Sequence, residues 1–297
     1  MDIRARLCFE MSRRLMRPPA QRTLDYGAYG AWRRASLSRS LAWFDESHVS
    51  GKDVLDFGCG DGQLSLLLAE KKRPRRIMGV DISGAAIERA RASLRRARVP
   101  EGINVGFQLG SPEALPVPDQ SFDTLLAFDC LEHVMCPGPI LREWHRALRP
   151  GGRCLIEWFP YKGPWGPHME ALIPIPWAHV LFGERAMVSA AGKIYDLEQF
   201  VPRHWDLDEH GRKKPNKWHA WCSFEEQGYI NKLDIASFRK LATHAGFAIA
   251  RQELHSFGGS ALRRIAGKVL MRVPTVGEYF VSFAIIELQR PSACSRS

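Results

Sequence analysis

The chain has 297 residues, 45% hydrophobic and 25% charged, enough to bury a sizeable core in one large domain or one domain with a substantial insertion. Its net charge of +10, much of it arginine in the first hundred residues, favours anionic partners without choosing among nucleic acid, a membrane surface and an acidic substrate, and a genomic arginine bias gives the same composition. Seven cysteines (8, 59, 130, 136, 154, 222 and 294) form an odd set with no Cys-x-x-Cys pair, which argues against a zinc site and for reduced thiols in the cytoplasm.

No apolar run reaches about eighteen residues, so no transmembrane helix is expected, and the N-terminus lacks the apolar core of an export signal. Ile3, Leu7, Met11 and Leu15 recur every fourth residue, with Arg4, Arg6, Arg13, Arg14 and Arg17 among them. That spacing predicts a basic amphipathic helix closed by Pro18-Pro19, suited to packing on its own domain or to an anionic membrane surface. Tyr26 to Trp32 follow as a glycine-hinged aromatic patch, able to cap a ligand or simply to pack. A second helix is expected from about Arg34 to Glu46. Val54 to Phe57 reads as a buried strand carrying one acid, Asp56. Gly58, Gly60 and Gly62 then allow a tight turn and close approach to the backbone. Leu64, Leu66, Leu67, Leu68 and Ala69 predict a helix packed on a sheet.

Ile77 to Asp81 is a second strand ending on an acid, and a helix from Ser83 to Arg98 follows. Ile103 to Gln108 reads as a third strand, Gly110 to Pro116 as a loop, and Phe122 to Phe128 as a fourth strand ending at Asp129. Pro139 to Leu148 reads as a helix broken at Arg149 to Gly152, and a fifth strand is expected from Arg153 to Phe159. This strand–helix alternation predicts a parallel sheet with helices on both faces. It stops at Pro160. From there to Trp221 the chain mixes prolines and five histidines with Tyr161, Trp165, Trp177, Phe182, Tyr195, Phe200, Trp205, Trp218 and Trp221. Such a segment is too aromatic for a disordered linker; it reads as an insertion at the carboxyl edge of the sheet, where ligands bind in open α/β folds. Regular structure returns with a helix at Asp234 to Ala245, a strand at Phe247 to Glu253, a helix near Ser260 to Met271 and a strand at Phe280 to Leu288.

A strand, a glycine turn and a helix N-terminus make a nucleotide-type site with N–H groups aimed at the ligand. A dinucleotide fold wants Gly-x-Gly-x-x-Gly, and here the third slot is Gln63. Asp81, twenty-one residues after Gly60, suits a ribose contact in either a dinucleotide or an adenosyl ligand. Asp56 separates the two, because a carboxylate before the turn repels a pyrophosphate and attracts an ammonium or sulfonium. That ligand is S-adenosylmethionine (SAM). With Val54–Gly62, Gly79–Ser83, Ala114–Asp123, Leu131–Val134 and Leu148–Gly152 in this order and spacing, the chain resembles the class I methyltransferase family, specifically its broad ubiquinone-biosynthesis-like (type 11) group. The resemblance covers roughly Lys52 to Trp158.

It implies a doubly wound, seven-stranded, mostly parallel sheet of the Rossmann-like methyltransferase type, with the aromatic insertion after the fifth strand. It also implies that Gly58 and Gly60 line the methionine part of SAM, that Asp56 lies near its amino group, that Asp81 accepts both ribose hydroxyls, and that Ile82 packs on the adenine. Where the family commonly places an Asp–small pair at the adenine edge, this chain has Ser111-Pro112; Ser111 accepts a weaker bond and Pro112 offers no N–H. The division expected is an N-terminal helical cap, 1–48, and a SAM-binding domain, 49–297, with 160–221 as a substrate lid.

Methyl transfer needs a positioned acceptor and, for some acceptors, a base. His168, which opens the insertion and titrates near neutrality, is the leading base candidate, with Asp129 at the rim of the fourth strand. Phe128-Asp129-Cys130-Leu131 departs from the Asn/Asp-Pro-Pro-Tyr type of amino-group methyltransferases, and Cys136-Pro137 reverses the Pro-Cys order of cytosine-carbon enzymes. Basic residues spread along helices rather than interleaving with the aromatics, so no nucleic-acid partner is expected. An aromatic, partly apolar lid suits a small or lipid-like acceptor. The expected function is a cytoplasmic SAM-dependent methyltransferase acting on a small molecule at oxygen in preference to carbon or nitrogen: a natural product, a glycan precursor or an isoprenoid-type compound. RNA or protein methylation, and a non-catalytic SAM-binding scaffold, are the alternatives. Oligomeric state is not readable from the sequence.

Overall fold

The computed structural model describes residues 2–257 and 261–292. In chain order the helices and strands are α1 (Ile3–Leu15), α2 (Gln21–Leu24), α3 (Tyr26–Leu41), β1 (Asp53–Phe57), α4 (Gln63–Lys71), β2 (Arg76–Asp81), α5 (Gly84–Arg96), β3 (Asn104–Leu109), β4 (Phe122–Phe128), α6 (Pro137–Ala147), β5 (Leu148–Trp158), α7 (Ala178–Leu181), α8 (Glu184–Asp196), α9 (Phe224–Gln227), α10 (Ile235–His244), β6 (Ala248–Ser256), α11 (Ala261–Leu270) and β7 (Val281–Gln289). Ser260, expected to open the last helix, and Cys294 lie outside the described residues.

The chain divides into two compact units. A helical unit comprises Met1–Trp32, Phe159–Lys232 and Ser256–Ser282; a sheet unit comprises Arg33–Trp158, Leu233–His255 and Phe283–Ser297. The sheet unit is built on seven strands in the order β3-β2-β1-β4-β5-β7-β6. The pairs β3–β2, β2–β1, β1–β4 and β4–β5 are parallel, and β7 runs antiparallel to β5. The doubly wound, seven-stranded, mostly parallel sheet expected from the sequence is therefore present. The order in which strands are added reverses between β1 and β4, the switch point at which open α/β sheets hold ligands.

Side-chain alternation sets the two faces. Val54 packs with Leu64, Leu67 and Leu68 of α4 and with Leu37 and Leu41 of α3. One residue on in each direction the opposite face is served, and the ring of Phe57 meets Trp144 of α6 edge-on at 5.0 Å. The amino ends of β1 and β4 are pinned by charge. Arg75 and Arg149 both donate to the buried Asp53 (2.7 and 2.8 Å), and Arg149 also donates to Asp123 (2.7 Å). These hydrogen bonds, Arg75 first, hold the Asp53 carboxyl well below the usual range. In the middle of β2, Gly79 gives way to a ring: a Cβ there would lie 2.5 Å from Phe107.

Several boundaries differ from expectation, among them the end of the second helix, at Leu41 and not Glu46. Helix α6 ends before residues 149–152 as expected, but these residues already belong to the fifth strand, which starts at Leu148 and not at Arg153. Gly151 N–H donates to Arg290 O and Arg290 N–H to Gly152 O, both at 2.9 Å, so β7 carries the segment as an irregular first part of β5. Gly27 and Gly30 do not form a hinge. Asp25 accepts from Ala28 N–H at 2.6 Å and starts α3 eight residues ahead of its expected beginning at Arg34.

The helical unit has its own core, in which Cys8 joins Met187, Ile194, Tyr195, Phe200 and Phe224. Tyr26 and Tyr29 pack on His204, with ring centres 5.5 and 4.8 Å apart. Helix α1 packs on α8. It does so with the small residues Ala5, Cys8 and Ser12, and the buried side of α8 is likewise rich in alanine (Ala186, Ala190, Ala191). Small side chains on both helices allow close approach of the backbones. The Ile3–Leu7–Met11–Leu15 stripe consequently stays in solvent, at 76, 52, 42 and 48% exposure.

Candidate active site

The sheet unit gathers its chemistry at the carboxyl ends of β1, β2 and β4. After β1 the chain must turn sharply enough to start α4 at Gln63, and it does so through three left-handed glycines, Gly58 (φ 70°), Gly60 (53°) and Gly62 (81°). Gly58 is doubly constrained, since a Cβ there would lie 2.8 Å from the Cβ of Cys130. Gly60 is constrained by conformation alone, because a Cβ on it would meet nothing within 4 Å. The turn therefore keeps open space above Gly60.

Asp81 ties the turn to β2. Its Oδ2 accepts from Gly60 N–H at 2.9 Å and its Oδ1 from Ser83 N–H at 2.8 Å. Each oxygen has a further lone pair, so the carboxylate can hold the turn and still accept from a ligand's hydroxyls. Beyond it, Ile82 is 62% exposed, and Leu109, the last residue of the neighbouring β3, is 51% exposed. Two bare aliphatic side chains at adjacent strand ends provide apolar surface for a flat ring. Sequence reasoning selected Ile82 and missed Leu109, which is distinguished only by its position at the strand end.

Asp56 is buried and accepts from Ser65 Oγ of α4 at 2.6 Å. Burial pushes its carboxyl up to about 7, against the opposing effects of the Ser65 bond and the Arg33 charge, while the charge of Asp81 adds to the rise. A carboxyl group held so near neutrality is stabilised as the anion by any cation that reaches it. The Ser65 partnership was not legible, because nothing in an apolar helix run marks one serine as facing a strand acid.

Asp129 follows β4 with a left-handed backbone (φ 55°), and its N–H donates to Glu157 O at 3.0 Å. Arg33 of α3 forms an ion pair with its side chain and donates to Phe128 O at 3.5 Å. Glu132, buried in the short 3-10 turn Leu131–His133, is raised far above the usual carboxylate range, first by burial and then by the charge of Asp129, to which it also hydrogen-bonds. Asp129 is thus set between the Arg33 guanidinium and the buried Glu132 carboxyl. Held from two sides, the Asp129 carboxyl is positioned to orient a polar ligand. Arg33 lies 96 residues from its partner, which is why the sequence alone did not suggest it.

Ser111 is committed to its own loop. Its Oγ donates to Ala114 O at 3.2 Å and accepts from Ala114 N–H at 3.1 Å, leaving one acceptor position. His168 belongs to the helical unit, in a turn with φ 51° and its ring edge-on to Phe159 at 4.8 Å. The structure thus assembles Asp56, Gly58, Gly60, Asp81, Ile82 and Asp129 on one sheet edge, while His168 falls in the other unit. A hollow of about 410 Å³ lined by Leu94, Val99, Ile103 and Asn104 opens at the amino end of β3, the wrong end of a parallel strand for ligand chemistry.

The residues fit SAM. There is open space above the glycine turn, a buried acid for a cationic group, a strand-end acid for a ribose and exposed aliphatic surface for an adenine. The strand order, the acid–glycine turn and the strand-end acid define a class I methyltransferase domain, the kind that uses SAM as methyl donor. Residues 55–156 match the family described as "Methyltransferase domain". The chain is 35% identical over 118 residues to the ubiquinone biosynthesis O-methyltransferase of Pseudomonas fluorescens (strain SBW25), covering 39% of this chain and 48% of that protein. It is 37% identical over 110 residues to methyltransferase GfsG of Streptomyces halstedii, covering 36 and 37%. The chain thus spans about half or less of the length of these curated relatives. Among solved structures, the YcgJ protein of Bacillus subtilis superposes with a TM-score of 0.50 at 16% identity, over 86% of this chain and all but 1% of that one (99%), a likeness of fold. By the family match residues 55–156 form a methyltransferase domain, the part of the chain that these relatives share.

Proposed function

We propose that this protein transfers a methyl group from SAM to a small-molecule acceptor, at oxygen in preference to carbon or nitrogen. The observation that carries the reading is the buried Asp56 beside the open glycine turn, an acid poised for a cationic ligand. Preference for oxygen and for a small acceptor is supported by the O-methyltransferase name of the Pseudomonas relative. Bound SAM would supply a methyl group on a positively charged sulfur, already activated for in-line displacement.

The chain's own residues then have three tasks. Asp56, Gly58 and Gly60 hold the methionine end, the acid by charge and the glycines by leaving backbone and space within reach. Asp81 accepts from the ribose, Ile82 and Leu109 cover the adenine, and Ser111 keeps the neighbouring loop closed. Asp129, fixed by Arg33 and Glu132, accepts a hydrogen bond from the acceptor hydroxyl and aligns its oxygen; alignment is the larger part of catalysis when the electrophile is already activated. We assign acceptor selection to the aromatic segment 160–221, with His168 as the candidate to take up the released proton.

Titration calorimetry with SAM tests the donor site. Saturable binding to the wild type is expected, and Asp81→Ala should weaken it at least a hundredfold, because both the ribose contact and the Gly60 anchor are lost. Unchanged affinity in Asp81→Ala would overturn the assignment.

A further inference from the structure

We propose that α1 is a membrane-surface helix that docks the chain on bilayers containing anionic phospholipid. The helix is apolar on two sides. One side, Ala5, Cys8 and Ser12, is buried in the helical unit. The other, Ile3, Leu7, Met11 and Leu15, stays in solvent as a continuous row of large aliphatic side chains. The inner side, with Phe9 packed beside it, already anchors the helix to its unit, so the four exposed aliphatic side chains of the outer side are not needed for packing. The placement is not general to the molecule: among the described residues, every exposed large apolar side chain except Ile82, Leu109 and Met135 lies in the helical unit.

Charge selects the occupant. Residues 2–17 hold five arginines against two acids, and of those acids Asp2 caps the helix while Glu10 pairs with Arg13 at 2.9 Å. Arg4 and Arg14 lie within the outward apolar arc, and Arg6 and Arg13 flank it, where long side chains reach headgroup phosphates while their stems cover acyl chains. An aqueous partner such as RNA would use the arginines and leave four exposed aliphatic side chains unused. No helix among the described residues is long and apolar enough to cross a membrane, so the contact is with the surface. This inference stands apart from the methyl-transfer reading, since vesicle binding requires no turnover.

The test is co-sedimentation of the full chain with phosphatidylcholine vesicles, with and without phosphatidylglycerol. Binding is expected only to the anionic vesicles, falling as salt is raised. Leu7→Glu together with Met11→Glu should lower partitioning at least tenfold with the melting temperature unchanged, because both positions are exposed. Arg6→Gln together with Arg13→Gln should lower it by about tenfold or more. As a check independent of any destabilisation, Met11→Cys carrying an environment-sensitive dye should shift its emission to the blue on anionic vesicles only. Equal binding to neutral and anionic vesicles, no binding, or no dye shift would overturn the proposal. So would self-association in ultracentrifugation that Leu7→Glu abolishes in the absence of vesicle binding, which would assign the face to a second copy of the chain.

Discussion

Proton-linked SAM binding is the sharpest consequence of the site. Burial raises the Asp56 carboxyl to about 7, so before any ligand arrives the group is largely neutral below that pH and largely ionised above it. A cationic ligand binds the ionised form, so affinity should rise with pH through this range. About 3% of the carboxyls are ionised at pH 5.5 and about 75% at pH 7.5, so the dissociation constant should fall roughly 25-fold across that window. The upper limit is chosen because an α-amino group begins to lose its own proton near 7.7–8.0. Stability moves in the opposite sense. The folded carboxyl binds its proton more tightly than the unfolded one, so folding loses up to roughly 4 kcal/mol from this group as pH rises from the unfolded value near 3.9 to about 7. SAM would then recover part of that loss. The assay is calorimetry at several pH values in two buffers of different ionisation enthalpy, which separates proton release from binding heat. Asp56→Asn keeps an acceptor for Ser65, removes the titration and should bind SAM weakly at every pH. A pH-independent affinity with no proton release, or wild-type affinity in Asp56→Asn, would refute the reasoning.

Other expectations are local. Gly79→Ala forces a methyl group to within 2.5 Å of the Phe107 ring and should destabilise by about 1–3 kcal/mol, read as a fall of several degrees in Tm. Asp53 contributes its full share of stability above the unfolded carboxylate value of about 3.9 and loses it as pH falls below that value towards its depressed folded one. An acid melting series should therefore show a steeper decline for the wild type than for Asp53→Asn, which starts less stable. Arg33→Ala removes the ion pair that holds Asp129, and should lower kcat by about tenfold or more while leaving SAM affinity within about threefold, separable by comparing steady-state rates with direct titration.

The sheet was the most legible part of the chain. Each strand of the first five is a short apolar run, four of them close to an acid or glycine at the carboxyl end, and hydrophobic period and turn chemistry agree there. The misread boundaries have two causes, one long-range pairing and one local cap. Gly151 and Gly152 read as the stop between helix and strand until Arg290 pairs them into the strand, and Gly27 and Gly30 read as a hinge although Asp25, three residues before Ala28, caps a helix that runs through them. In the site, residues on the contiguous turn were visible because the motif itself is local. Arg33, Ser65, Leu109 and Glu132 acquire meaning only from what folding brings beside them. Helix α1 forms and packs on its own unit, one of the two readings its sequence allowed, but through a side other than its apolar stripe. The spacing correctly marked an apolar stripe but carried no information about which side faces α8, and the small residues on both helices decided it.

The central claim is methyl transfer, and isotope-labelled SAM incubated with the protein and fractionated small-molecule extract tests it most directly. The account predicts a product heavier by one methylene, formed together with S-adenosylhomocysteine, and lost in Asp81→Ala. Tight SAM binding with no S-adenosylhomocysteine formed in the presence of any fraction would contradict it and leave a binding protein in the place of an enzyme.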